Sequence, residues 1–267
     1  MRRAYPSDIN DIQWQILSPL IPPAKAGGRP REVSIREVLN GIFYVLKEGI
    51  SWRALPHDLP AWQTVYGYFR QWRQSGLWEQ MNDALRTAIR QQAGRQSEPS
   101  AAILDSQSVK TTAVGGECGF DGAKQVKGRK RHLLVDVMGL VLVVLVHNAA
   151  IAERAGAKSL LTRTKRKGFS RLSLIWADAG YSGQPMVDWV FRLAGWLFEV
   201  IARPADAKGF ILLPRRWVVE RTFAWLGHYR RLSKEFERLP ESSEAMIYAA
   251  MVYIMSRRLA RQPAVAL

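Results

Sequence analysis

The sequence has a single cysteine, Cys118. One thiol excludes an internal disulfide, and a thiolate zinc centre needs several Cys or His at close spacing. The four histidines, His57, His132, His147 and His228, show no short metal-ligand spacing. Long hydrophobic runs are missing too. The run over residues 140–146 is far short of the about 20 apolar residues a spanning helix needs. The opening MRRAYP is basic but lacks the apolar core of a signal peptide. A soluble, cytosolic chain is the expectation. No Gly-rich loop is followed by Lys-Ser or Lys-Thr, so nothing supports ATP hydrolysis. Negative charge is scarce as well: 23 acids face 39 Lys and Arg, a formal net charge of +16. Such an excess repels itself in a compact fold and is relieved by a polyanion. Nucleic acid comes first and an anionic membrane surface second.

What is present is globular. Hydrophobic residues make up 48% and charged residues 23%, and 267 residues suit one large domain or two modest ones. Residues 91–100, QQAGRQSEPS, are polar and aperiodic and read as a linker. Before them the pattern is helical. Residues 7–11 offer N-cap types ahead of Ile12, Ile16 and Leu17, and Pro22-Pro23 stops that helix. Residues 24–30, AKAGGRP, form a basic loop. Ile35, Val38, Leu39, Ile42, Phe43 and Leu46 share one face of a helix over residues 33–47. Two more helices fall at about residues 61–74 and 77–91. After the linker the signal changes. Residues 101–105 and 172–177 are apolar runs that end in or run into a carboxylate, Asp105 and Asp178. Residues 132–137 and 140–147 read as a hairpin about Met138-Gly139. Helices are expected at 151–161, 184–193, 215–230 and 243–259, and a strand at 196–201. This mixture implies a mixed α/β layer fold with a central sheet.

Asp105 and Asp178 share a setting: each follows a strand and precedes a loop of small residues. Sites in open α/β sheets gather at the carboxyl ends of strands. Two carboxylates there suit Mg²⁺ or Mn²⁺. The plain alternative is that each caps the next turn. Glu220 is the third acid. It lies beside the stripe Val219, Phe223, Leu226, one turn after Arg216, and a surface Arg–Glu pair is its plain reading. Basic clusters flank these acids: residues 124–131 (KQVKGRKR), 163–167 (RTKRK), Arg215-Arg216, and Arg230-Arg231 with Lys234. Their placement fits phosphate tracking along a duplex, although runs of like charge are often solvated faces. Trp52, Trp62, Tyr66, Tyr68, Phe69 and Trp72 suit base stacking or, at helical spacing, helix packing. His132 and His147 read as packed, hydrogen-bonded residues, and Cys118 has no catalytic partner.

Several segments together resemble one family. They are residues 5–33 (YPSDINDIQWQILSPLIPPAKAGGRPREV), 52–73 (WRALPHDLPAWQTVYGYFRQWR), 105–112 (DSQSVKTT), 120–140 (FDGAKQVKGRKRHLLVDVMGL), 176–183 (WADAGYSG) and 215–237 (RRWVVERTFAWLGHYRRLSKEFE). Over nearly the whole chain the sequence is similar to the IS5-type insertion-sequence transposases of the IS4-like DDE group. The resemblance implies an RNase H-like catalytic domain over residues 96–267 and an N-terminal all-helical DNA-binding domain over residues 1–95. It implies Asp105, Asp178 and Glu220 as catalytic and metal-binding acids with Mg²⁺ or Mn²⁺. It implies double-stranded DNA as partner, both terminal inverted repeats and target, and a homodimer in the synaptic complex. The expected setting is the bacterial cytoplasm, at the nucleoid. Lys127, Arg129, Lys130, Arg131, Arg216, Arg221, Arg230 and Arg231 are the expected DNA contacts.

Two departures stand out. The family's third motif runs Tyr, two residues, Arg, three residues, Glu, six residues, Lys. Arg216 and Glu220 fit, but Leu213 holds the Tyr position and Gly227 the Lys position, leaving His228, Arg230 or Arg231 as replacements. In residues 151–157, IAERAGA, Ala155 stands where relatives read Asp. Two rival readings share the charge or the acids: a non-catalytic DNA-binding remnant or repressor, and a nuclease acting on RNA–DNA hybrids.

Overall fold

The computed structural model describes residues 2–24, 27, 31–201 and 215–261. The basic loop over residues 24–30 lies outside them apart from Ala24 and Gly27, and so do Leu213 and Pro214.

The first helix, α1 (Asp11–Leu17), starts on Asn10. The Asn10 side chain accepts from the Gln13 N–H while the Gln13 side chain accepts from the Asn10 N–H, a capping box. It ends earlier than Pro22-Pro23 suggests, in a 3₁₀ turn over Ser18–Leu20 that contains Pro19. Helix α2 (Ile35–Glu48) is capped by Ser34 and stopped by Gly49 at φ 73°, a left-handed conformation that suits glycine. A Cβ at Gly49 would also lie 2.8 Å from the Arg230 Cβ. Helices α3 (Trp62–Gln74) and α4 (Leu77–Gln92) follow at the expected places.

The sheet has six strands: β1 (Ala101–Lys110), β2 (Gly119–Asp121), β3 (Val126–Asp136), β4 (Val141–Asn148), β5 (Leu174–Ala177) and β6 (Leu197–Val200). Strand β3 pairs antiparallel with β1, β2 and β4, while β5 is parallel to β1 and β6 to β5. Four helices complete the fold: α5 (Glu153–Lys167), α6 (Gln184–Ala194), α7 (Trp217–Gly227) and α8 (Pro240–Arg261). The result is the mixed α/β, RNase H-like layout, with helices on both faces of the sheet.

Each face has its own core. Ala102, Leu104, Leu134 and Ile175 pack with Leu160 and Leu161 of α5 and Val190 of α6. On the other face Ile103, Leu133 and Val135 share one core with Val219 of α7, Met246, Met251 and Val252 of α8, and Leu17, Phe43, Trp78 and Leu85 of α1, α2 and α4. Helix α8 is buried nearly all round, as a helix enclosed by other elements must be. The expected division near residue 95 marks a change from helix to sheet; on either side of it the side chains enter one hydrophobic core.

Residues 91–100 are tied down. The Arg90 guanidinium pairs with buried Asp136 and donates to the Gln96 carbonyl at 2.9 Å. The Glu98 carboxylate accepts from the Ser170 N–H and hydroxyl at 2.9 and 2.7 Å.

Candidate active site

Asp105 does not end a strand. Strand β1 runs on to Lys110 because β3 pairs with it as far as Lys110↔Gly128. On its other side β1 loses its neighbour early. The parallel pairing with β5 covers Ala101↔Leu174 to Ile103↔Trp176, and β5 stops at Ala177. Continuing that register two residues sets Asp105 beside Asp178, on strands spaced about 4.8 Å apart. The Asp178 carboxylate accepts from the Gly180 N–H at 2.9 Å and so caps a 3₁₀ turn, Ala179–Tyr181.

Arg216, at the start of α7, joins this end of the sheet to Glu220. Its Nη2 lies 3.7 Å from Asp178 Oδ2 and 3.4 Å from Glu220 Oε1. Those two carboxylate oxygens are therefore no further apart than the sum of the two distances. Asp105 feels the same charges. Burial pushes its pKa from near 3.8 to about 6; the Ser106 N–H opposes this, Asp178 adds to it, and Arg216 and Lys124 oppose it. Arg215 anchors α7 from below, stacked 4.4 Å over the Trp176 ring, whose indole donates to Glu199 at 2.7 Å.

A fourth acid reaches the same place from the opposite layer. Glu153, in the first turn of α5, accepts from the Ser106 hydroxyl at 3.1 Å and pairs with Lys124 at 2.8 Å. Across Gly180 it faces Asp178: a Cβ on Gly180 would lie 2.7 Å from Glu153 Oε2 and 3.0 Å from Asp178 Oδ1. Sequence reasoning missed Glu153. Its signal was its place as the acid of IAERAGA, the segment where Ala155 drew attention instead. Ala155 itself is exposed on α5.

Among the described residues no three acids, histidines or cysteines stand close enough to enclose one ion by themselves. Arg216 stands between Asp178 and Glu220. The donors still fit a hard divalent cation. All are carboxylates, and the raised pKa of Asp105 marks negative charge that its surroundings do not fully compensate.

Half of the expected DNA contacts are internal. Arg129, Lys130, Arg131 and Arg231 are buried. Arg129 donates to the carbonyls of Glu117, Glu237 and Arg238 and lies 3.5 Å from Glu235. Arg131 pairs with Glu235 and donates to the Leu232 carbonyl at 2.7 Å. Lys130 lies 3.1 Å from Asp121, and Arg231 pairs with Glu237 at 2.7 Å. Their burial has a physical cause. Residues 232–238 offer carbonyls and carboxylates to Arg129, Arg131 and Arg231, and Asp121 and the Ile151 carbonyl take Lys130, so these charges hold the chain together. Arg221 is half-buried, stacked 4.4 and 4.7 Å from the Trp217 and Trp225 rings, and donates to the Met138 carbonyl. Lys127 and Arg230 are exposed.

His132 and His147 are packed, stacked at 4.9 Å, but only partly hydrogen-bonded. Neither Nε2 has a partner among the described residues, and a Cβ on Gly156 would lie 2.4 Å from each. Phe69 and Trp72 are buried, and Trp52 packs on Phe69 at 5.2 Å, so these rings serve helix packing.

Comparison with known proteins gives the class first. Residues 96–255 match the family model described as "Transposase DDE domain", and residues 9–82 match "Putative transposase of IS4/5 family". The chain belongs to the DDE transposases of the IS4/5 kind. A curated relative, the "Insertion element IS402 uncharacterized 16.2 kDa protein" of Burkholderia cepacia, is 34% identical over 119 residues, 42% of this chain and 78% of that protein. The "Putative transposase for insertion sequence element IS402" of the same organism is 32% identical over 117 residues, 42% of this chain and 54% of that protein. A solved structure, the Mos1 mariner paired end complex with Mn, matches at 13% identity and TM-score 0.31 over 89% of this chain and 80% of that one. Among the described residues no helix is long and apolar enough to cross a membrane.

Proposed function

We propose that this transposase binds the terminal inverted repeats of an insertion sequence and cuts and joins DNA with Asp105, Asp178 and Glu220 as ligands of Mg²⁺ or Mn²⁺. The observation that carries this reading is the alignment of Asp105 with Asp178 on parallel neighbours, with Arg216 reaching both Asp178 and Glu220. When bound, divalent ions activate the attacking oxygen and stabilise the leaving oxygen of an in-line displacement at phosphorus. The chain's own residues prepare that centre. Asp105 and Asp178 hold two carboxylates side by side where β5 ends. Arg216 keeps Glu220 near them and offers a cation to a phosphate. Ser106 and Lys124 fix Glu153 at the rim. The helices before residue 96 carry repeat recognition, residues 96–267 carry the chemistry, and two copies pair two element ends. No observation favours a non-catalytic remnant.

The test is Glu220→Gln, which keeps shape and removes the charge a metal requires. Mg²⁺-dependent nicking of a labelled repeat-end duplex falls at least roughly a hundredfold, since several kcal/mol of transition-state stabilisation are lost at about 1.4 kcal/mol per tenfold. Gel shifts stay near wild type. If Glu220 only pairs with Arg216, its loss costs a few tenths of a kcal/mol. A variant that cuts within about threefold of wild type returns Glu220 to the helix surface.

A further inference from the structure

The outer face of α7 continues beyond Glu220. Glu220, Ala224 and His228 recur every fourth residue, so they form one row along the helix, and all three are exposed. Trp225 and His228, at the far end of that row, open onto a groove whose other walls include Lys47, Tyr229, Arg257, Arg258 and Arg261. Glu220 and His228 are separated by roughly 12 Å of helix rise. Nothing bulky intervenes: Ala224 is small, and a Cβ on Gly227 would meet no atom within 4 Å.

The charge in this groove differs from that on β3. Among the described residues no carboxylate lines it. Among the described residues neither Arg258 nor Arg261 pairs with an acid. Like charges crowd instead: Arg257, Arg258 and Arg261 come from the last five residues of α8 and line the same groove. Crowding of this kind is relieved when a polyanion enters. The walls also carry rings, Trp225 and Tyr229, with Lys47 lying 5.3 Å over Tyr229. A basic groove of this kind tracks a nucleic-acid backbone. An acidic protein segment would satisfy the charges, but it would leave unexplained why the groove lies in line with the acids.

We propose that this groove is a DNA-strand subsite. The backbone leaving the Asp105, Asp178 and Glu220 centre follows the α7 row, and its phosphates seat on Arg257, Arg258 and Arg261. At 3.4 Å per nucleotide along a duplex axis, the separation corresponds to about three to four steps. The proposal rests on the reading above that the chain acts on DNA.

The test measures binding of the full-length, metal-free chain to a labelled duplex of mixed sequence across a salt series. Each phosphate contact removed lowers the log–log salt slope by about one. Arg258→Gln with Arg261→Gln lowers the slope by about two and weakens binding roughly tenfold or more. Arg258→Lys with Arg261→Lys keeps the slope, because charge is what phosphates read. Arg192→Gln, at an exposed position on α6, leaves the slope unchanged. If the double Gln variant binds with wild-type slope and affinity, the groove is not a DNA subsite, while the transposase reading stands. If the double Lys variant loses as much slope as the double Gln variant, charge is not the cause and the proposal falls. If the wild type binds no duplex, both readings fall together.

Discussion

Asp105 holds a proton that an exposed carboxylate would release. With its pKa at about 6 in the fold and near 3.8 in the unfolded chain, the native state binds more protons between those values. Its contribution to the stability of the metal-free protein is therefore most favourable below about pH 3.8. It declines as pH rises to about 6 and is level above that. The decline amounts to at most about 3 kcal/mol, at 1.36 kcal/mol per unit. Thermal melts of metal-free wild type will lose stability across this window relative to Asp105→Asn, which does not titrate. Parallel curves for the two proteins would show an ordinary carboxylate. At this scale the sequence pointed to three candidate acids through their settings: two strand-run carboxylates and one Glu beside a core stripe. Glu153 was hidden because its partners are distant in sequence. Ser106 comes from β1 and Lys124 from the loop before β3, and only the folded sheet brings them to the start of α5.

Among the elements, β3 departs furthest from its expected course. Its hydrophobic half was legible, and the VKGRKR half was not, because a run of like charge normally marks a solvated surface. The structure neutralises it with Glu235, whose carboxylate meets Arg129, Arg131 and the Ser243 hydroxyl. The Glu235 backbone also donates to the Lys110 carbonyl at 2.9 Å, joining the end of β1 to the approach to α8. Glu235→Gln leaves two buried guanidinium groups short of counter-charge and costs about 3–5 kcal/mol. Lys127→Ala, on the same strand but exposed, changes stability by at most about 0.5 kcal/mol. Denaturant titration of both variants checks the contrast, and a Glu235→Gln loss below about 1 kcal/mol would remove the pair from the account. The helices were easier to read. Helices α2, α3 and α4 fall within two residues of their expected bounds at each end.

On the scale of the molecule, periodicity placed a helix near residues 243–259 but could not say what surrounds it. Helix α8 fills the space between the sheet and the first four helices. Phe43 meets Tyr253 with ring centroids 4.8 Å apart, and Gln13 donates to the Ser256 hydroxyl at 3.1 Å. A fragment of residues 1–95 therefore lacks one wall of its core. It will show no cooperative thermal transition by circular dichroism, whereas the full chain will. A sigmoidal melt of the fragment would show that the four helices stand without α8. DNA recognition by those helices is accordingly best measured in the whole chain.

The central place of α8 also sets a schedule. The ribosome makes α1 to α4 first and α8 last. At 5–20 residues per second, roughly ten to thirty seconds separate the emergence of Gln92 from that of Met251. Throughout that interval Phe43 and Trp78 have no C-terminal partner to cover them, and chaperones and proteases have access to a half-built core. The yield of finished protein is then a race between completing translation and capture of the nascent chain. Slowing elongation in the stretch before α8 lengthens the exposed interval without changing a single residue of the product.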